Sequence, residues 1–400
     1  MKRIFTLLIV IVPLLTGCWS RQEVNDVAIV LGVALDKAKN GNLLLTLQIA
    51  VPKASGGASE ANQASGTTKS TMMVSAEGAS IIEAYRIIQE KISREVFFAH
   101  GRVIIVGEKL ARDGVSPILD FFSRHRQAHL RNYLLFTKGK AVDILRTNPH
   151  FEAITSEELR EKEKMEVGVK VRVREFWDRM LTDGEEPVAA QVSNLPVEAA
   201  SQNERKDSGT SKKIPSIHGT AIFRGDRLIG WLNDKETRGI LWIRSELESG
   251  VLAVPIPKEK GGGRVGARIW KASTKVNPVL RNDKLAIKIE AYGEIEIFEN
   301  SSKLDLSNPM VLHTLQSVFE KDVEERIQLA LNKTQKQFKS DIFGFGQAVY
   351  RAYPKKWETY YKQRWYKIFP DLEVTIESHM KIQGTGFTTK PLLIPDHIKN

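Results

Sequence analysis

A single cysteine, Cys18, stands in the 400 residues of this chain. No intramolecular disulfide can form and no cysteine-rich zinc site exists, so packing alone has to stabilise the fold. A second long apolar run is also missing. Beyond Cys18 no stretch approaches the roughly 20 apolar residues of a membrane-spanning helix. No Gly-x-Ser-x-Gly elbow occurs. Gly261-Gly262-Gly263-Arg264-Val265-Gly266 has the spacing of a dinucleotide fingerprint, but it lacks the Lys-Ser/Thr of a phosphate loop and runs into a strand pattern, so it reads as a hairpin tip. His125 and His129 lie four apart without a zinc-protease carboxylate and read as a solvated helix end, not a metal site. Glu185-Glu186 reads as solvated surface. Paired acids of a glycosidase need not be adjacent in sequence, so that class stays open at this point.

Present instead are 42% hydrophobic and 27% charged residues, enough to bury real cores and to exclude a wholly disordered chain. Against 48 Asp+Glu there are 59 Lys+Arg, a formal charge of +11. The basic residues are interspersed with acids and carry no nucleic-acid-binding signature, so solubility or attraction to an anionic membrane surface is expected, not nucleic acid.

Met1-Lys2-Arg3 followed by Ile4 to Leu15 has the form of an export signal: basic, then apolar, but too short and too broken at Pro13 to span a bilayer. Leu15-Thr16-Gly17-Cys18 resembles the lipobox of bacterial lipoproteins. It implies a cleaved signal peptide over 1–17 and a diacylglycerol thioether on Cys18, which becomes the new N-terminus and is anchored by acyl chains at about 0.8 kcal/mol per buried methylene.

Val27 to Asp36 and Leu43 to Val51 read as strands joined by a hairpin at Lys39-Asn40-Gly41-Asn42. Residues 53–69 read as a flexible loop. Ile81, Ile82, Tyr85, Ile88 and Ile92 predict an amphipathic helix within Ser80 to Val96. A strand over Arg102 to Val106, a helix over Ser116 to His125 and a strand over Asn132 to Thr137 follow. Thr155-Ser156-Glu157-Glu158 has the form of a capping box, and a further helix covers Val171 to Leu181. The polar segment 196–213 reads as a linker. After it come a hairpin at Gly225-Asp226, a short helix near Glu236 to Leu247, and strands over Gly250 to Ile256 and Ala267 to Thr274. Lys284 to Phe298 reads as a half-solvated antiparallel strand pair. Asn308-Pro309 opens a long helix to about Ser340 with Leu315, Phe319, Val323, Ile327, Leu331 and Phe338 on its buried stripe. An aromatic helix over Trp357 to Trp365 and a last strand over Glu373 to Ile382 complete the chain. The expected fold class is α+β: an N-terminal α/β domain at 18–195, a small middle domain at 214–275, and a C-terminal domain at 276–386 with a tail at 387–400. Its sheets are expected to be largely antiparallel, with packed helices.

Two blocks carry a family pattern. Gly17-Cys18-Trp19-Ser20-Arg21-Gln22-Glu23-Val24-Asn25-Asp26 with Ile29 to Asp36 resembles the start of the Ger(x)C family, the lipoprotein C subunits of spore germinant receptors. Ser340-Asp341-Ile342-Phe343-Gly344-Phe345-Gly346, then Tyr353-Pro354-Lys355-Lys356-Trp357, Trp365 and Phe369-Pro370, is similar to its C-terminal signature. Ser20 departs from the acidic residue of many relatives. The resemblance implies a three-domain lipoprotein on the outer face of the spore inner membrane, assembled with a large A subunit and a polytopic B subunit. Receptors of this kind respond to nutrients, small-molecule recognition is attributed to the B subunit, and no enzymatic activity, cofactor or metal is implied for the C subunit. Phe343, Phe345, Trp357, Tyr361 and Trp365 are the candidate partner-binding residues, since aromatics are enriched at interface anchors; core packing at a turn is the other reading of the same residues. A solute-binding lipoprotein of a transporter is the alternative function.

Overall fold

The computed structural model describes residues 24–51, 70–125, 127–165, 168–197 and 213–388. Cys18, the signal peptide, the 53–69 loop and most of the 196–213 segment lie outside the described residues. Strand β1 (Val27–Lys37) turns back into β2 (Leu43–Ala50) with Leu35 opposite Leu45. The hairpin forms as expected, because the Asn40 side chain accepts from Asn42 N–H at 3.0 Å and Ala38 N–H donates to the Asn42 carbonyl at 2.8 Å. Strand β3 (Thr71–Gly78) forms the edge beyond β2.

On the other side of β1, the strands β5 (Val103–Gly107), β6 (Tyr133–Thr137) and β7 (Val188–Pro196) are paired in parallel, and every residue of β5 and β6 is buried. Continuous apolar strands of this kind belong to sheets covered on both faces. The amphipathic helix α1 (Ile81–Lys91) stops short of the predicted span. Glu95–Phe97 (β4) instead pairs in parallel with Val27 to Ile29. Helices α2 (Glu108–Asp113), α3 (Ser116–Arg124), α4 (Ala141–Leu145), α5 (Thr155–Lys164) and α6 (Val173–Leu181) follow. Helix α5 starts where predicted, but no capping box forms: the Thr155 hydroxyl donates to the Thr147 carbonyl at 2.6 Å, and Glu158 accepts from His150 N–H at 2.6 Å. Both side chains are drawn to the preceding loop instead.

Strands β8 (Lys213–Arg224) and β9 (Arg227–Leu232) extend the first sheet to nine strands. The segment 214–275 therefore has no sheet of its own. Its first part belongs to this sheet, and β10 (Gly250–Pro255) and β11 (Arg264–Arg281) belong to a second sheet, ordered β10-β11-β12-β13. Helix α7 (Asp234–Ile243) lies between them, opened by a capping box of Asn233 and Glu236.

Strand β12 (Lys284–Asn300) is one 17-residue strand, not a pair. It is joined to β11 by Asn282 and Asp283, both at positive φ (47° and 61°), as a two-residue hairpin turn requires. The long helix α8 (Pro309–Leu331) starts on Asn308, whose side chain accepts from Met310 N–H at 2.9 Å, and continues as wider turns to Phe338. It buries the predicted stripe against the second sheet, with Phe338 only partly covered. It also carries the chain back so that β13 (Glu373–Gly384) pairs in parallel with β12. The class is α+β, and both sheets are mixed: the antiparallel expectation holds for the hairpins and fails where a helix crosses over between strands. Among the described residues no helix is long and apolar enough to cross a membrane.

Candidate functional site

Lys339 ends the long helix in the left-handed conformation (φ 51°), and Gly344 (φ 75°) precedes helix α9 (Phe345–Ala352). Between them lies Asp341, buried with both oxygens spent. Oδ1 accepts from Phe343 N–H at 3.2 Å and Phe345 N–H at 3.1 Å; Oδ2 accepts from Gly346 N–H at 2.8 Å and from the Trp365 indole N–H at 2.9 Å. The carboxylate thus caps α9 and ties the aromatic segment after it to the corner. Burial pushes its pKa up to about 7, against those four donors, which pull it down.

The five candidate partner-binding residues are all here, and all are buried: Phe343 stacks on Phe345 at 5.1 Å, and Trp357 meets Trp365 edge-on at 5.3 Å, beside Tyr361. None of them presents a surface to a partner. Their burial, at about 1.5–3 kcal/mol per large side chain, makes them the core of the joint. The aromatic segment is not one helix but a run of short helical turns from Pro354 to Asp371, in which Trp365 contacts Trp357 and Phe369 and reaches Asp341.

Facing this corner is the first sheet's end. The Glu186 N–H donates to the Asp341 carbonyl at 2.8 Å, while its carboxylate accepts from Gly225 N–H at 2.6 Å and from the Tyr366 hydroxyl at 2.5 Å. Glu186 is therefore buried rather than solvated, and burial raises its pKa. Burial and the Glu186 carboxylate raise that of Tyr366 as well. Glu185 is likewise engaged, within 3.5 Å of both Arg179 and Arg244, which share Glu246 at 2.9 Å each. Arg244 also donates to the Ile342 carbonyl at 2.7 Å, the Ser340 hydroxyl to the Phe223 carbonyl at 2.7 Å, and Arg224 to the carbonyls of Phe338 and Lys339. The bonds of Glu186 to Asp341 and Tyr366, of Arg244 to Ile342, of Ser340 to Phe223, and of Arg224 to Phe338 and Lys339 join residues before 247 to residues after 337. A small polar cavity of about 130 Å³ remains between Asp183, Glu186, Lys362 and Tyr366. The arrangement locks the two sheets together.

In the first half a second buried carboxylate does similar work. Asp36, the last residue of the N-terminal block, accepts from Ala141 N–H at 2.7 Å and Val142 N–H at 3.0 Å, capping α4 from across the sheet. An apolar groove of about 830 Å³ runs between α1 and α3, over Leu43, Ile82, Leu110 and Phe121. His125 lies at its rim, within 5.0 Å of Phe98 and 5.4 Å of Phe121, in an aromatic cluster that lowers its pKa by burial. It caps the C-terminus of α3 and is partly buried there, while His129 beyond it is exposed. Among the described residues no group of His, Cys, Asp and Glu could hold a metal ion. Gly261 to Gly263 form the expected tip between β10 and β11.

Residues 20–194 match the family described as the spore germination protein N-terminal domain, and residues 218–386 match the one described as spore germination B3/GerAC like, C-terminal. The chain belongs to this GerAC-like family of spore germination proteins. Relatives in Bacillus subtilis (strain 168) include YfkR, 29% identical over 98% of both chains, and spore germination protein KC, 27% identical over 96% of both. Spore germination protein B3 of the same organism is 26% identical over 96% of this chain and 98% of its own. The crystal structure of the GerBC protein superposes with a TM-score of 0.54 at 22% identity, covering 88% of this chain and 97% of that one, which supports the fold.

Proposed function

We propose that this chain is the lipid-anchored C subunit of a nutrient germinant receptor, held on the outer face of the spore inner membrane by diacylglycerol on Cys18 and acting through assembly with integral A and B subunits. The observation that carries the reading is the match of both halves, in order, to germination-protein domains behind a lipobox at Cys18. The site supports a non-enzymatic role, because its buried acids are spent on backbone and indole N–H groups. The rival reading, a solute-binding lipoprotein, needs two like lobes around a cleft, whereas the two sheets have nine and four strands.

Deleting the gene, with paralogues removed, is expected to abolish the response of spores to at least one nutrient germinant. Tagged protein from spore inner membrane is expected to carry both integral subunits, and Cys18→Ala to leave the membrane fraction. Normal germination of the deletion strain, or full retention and activity of Cys18→Ala, would overturn the reading. Tight small-molecule hits in a thermal-shift screen would favour the rival.

A further inference from the structure

Helix α8 covers one face of the second sheet; the other face is open. Along β11, β12 and β13 the outward residues form a diagonal of rings: Phe298 and Trp270, 57% and 56% exposed, then Tyr292 stacked on His379 at 5.1 Å. Two cations lie on these rings. Arg268 sits over Trp270 at 4.6 Å and Lys275 over Tyr292 at 5.5 Å. Two of these rings are held in place: the Trp270 indole N–H donates to Glu296 at 2.9 Å, and Phe298 lies over Gly266, where a side chain's Cβ would come within 3.6 Å of the ring.

The charges on this face are unevenly spent. From Glu290 to Glu296 each outward carboxylate already has a partner on the sheet: Glu290 takes Lys288 and Asn277, Glu294 takes Gln383, and Glu296 takes Trp270. Arg268, Lys271, Lys275 and Lys381 have no carboxylate partner among the described residues. Lys271 and Lys381 flank a depression of about 300 Å³ beside the Tyr292–His379 stack. Rigid aromatic anchors next to cations with unspent donors match the composition of protein-binding hot spots, and the surplus charge selects an acidic ligand.

We propose that the outer face of β11–β13 is a docking surface for an acidic, aromatic-anchored segment of a partner protein, with Arg268 and Lys275 as its charge-reading residues. This is independent of the acyl anchor and of the germination phenotype. The test uses the full acylated chain in detergent and a fluorescein-labelled peptide, Glu-Trp-Glu-Phe-Glu, with Lys-Trp-Lys-Phe-Lys as control, read by anisotropy. The acidic peptide is expected to bind at least tenfold more tightly than the basic one, and to lose at least tenfold in affinity between 50 and 300 mM salt. It is expected to lose at least tenfold in R268E/K275E, whose new carboxylates stand opposite Glu296 and Glu290, and also in R268Q/K275Q, which adds no like-charge pair and should melt close to the parent. Lys109→Glu, on the first sheet's helix α2, should leave binding unchanged. Equal binding of both peptides, or undiminished binding by R268E/K275E, would overturn the proposal. So would displacement of bound peptide by phosphatidylglycerol vesicles together with R268E/K275E-sensitive binding to those vesicles, which would mark the face as a lipid surface.

Discussion

Gly184 and Gly346 meet back to back across the joint between the two sheets: a Cβ placed on Gly346 would stand 2.5 Å from the Gly184 Cα. Gly184 is also at φ +76°, and its own Cβ would lie 2.5 Å from the Trp357 ring. Two backbones can approach this closely only where neither carries a side chain.

Gly346→Ala is therefore expected to force the corner apart and lower stability by about 1–3 kcal/mol, or more if Trp357 loses its seat. Denaturant unfolding of the purified protein reads this directly. A loss below about 0.5 kcal/mol would mean that the joint yields freely.

Trp365→Phe keeps the aromatic packing and deletes one of four donors to Asp341. The expected loss is about 1–3 kcal/mol, since the remaining carboxylate stays buried with less compensation. Asp341→Asn should cost more, because an amide nitrogen would face N–H groups that need an acceptor. The order of the two variants in midpoint denaturant is the check.

Asp36→Ala leaves the N–H groups of Ala141 and Val142 without their acceptor in the interior, with an expected loss of about 1–3 kcal/mol. Hydrogen exchange at those two amides should accelerate by at least tenfold while amides of β12 stay protected. Unchanged exchange at Ala141 and Val142 would show that the cap is not what holds them.

Glu163 gives a pH signature. Its carboxyl is buried, one oxygen lacks a hydrogen-bond partner, and burial raises its pKa from 4.5 to about 8, with nearby Lys170 opposing the shift and Glu175 adding to it. Between pH 4.5 and 8 the folded state holds this proton and the unfolded state does not, so stability from this group declines as pH rises across that window. Glu163→Gln should remove the decline and be roughly 4 kcal/mol more stable than the parent at pH 8, with the difference vanishing near pH 4. Parallel stability curves for the two proteins from pH 4 to 8 would refute the assignment.

Local chemistry was legible in the sequence wherever the partners were close along the chain. Asn308-Pro309 opens its helix because the cap and the capped N–H are two residues apart, and Lys39 to Asn42 turn because Asn40 bonds within the turn. Asn282-Asp283, which turns β11 into β12, is a turn signal of the same kind. Thr155 and Glu158 show the limit: their pattern was right for a cap, but the groups nearest in space belonged to the preceding loop.

The aromatic corner shows what spacing could not supply. Phe343, Phe345, Trp357, Tyr361 and Trp365 are as compatible with an exposed anchor as with a core, and the choice depends on whether anything covers them. Part of what covers them is Gly184, which lies against the Trp357 ring from far earlier in the chain, and no periodicity links the two segments. The same separation hid Glu186 itself, which beside Glu185 reads as surface until Tyr366 and Gly225 close over it.

From its order of residues alone this chain settled its α+β class, most of its helix starts and hairpins, and the family to which it belongs, because each depends on patterns a few residues long. Folding decided which strands run parallel, that Lys213–Leu232 joins the first sheet, and that the signature aromatics face inward. Those outcomes rest on burial and on hydrogen bonds between distant segments, whose energies exist only once the two sheets have been brought together.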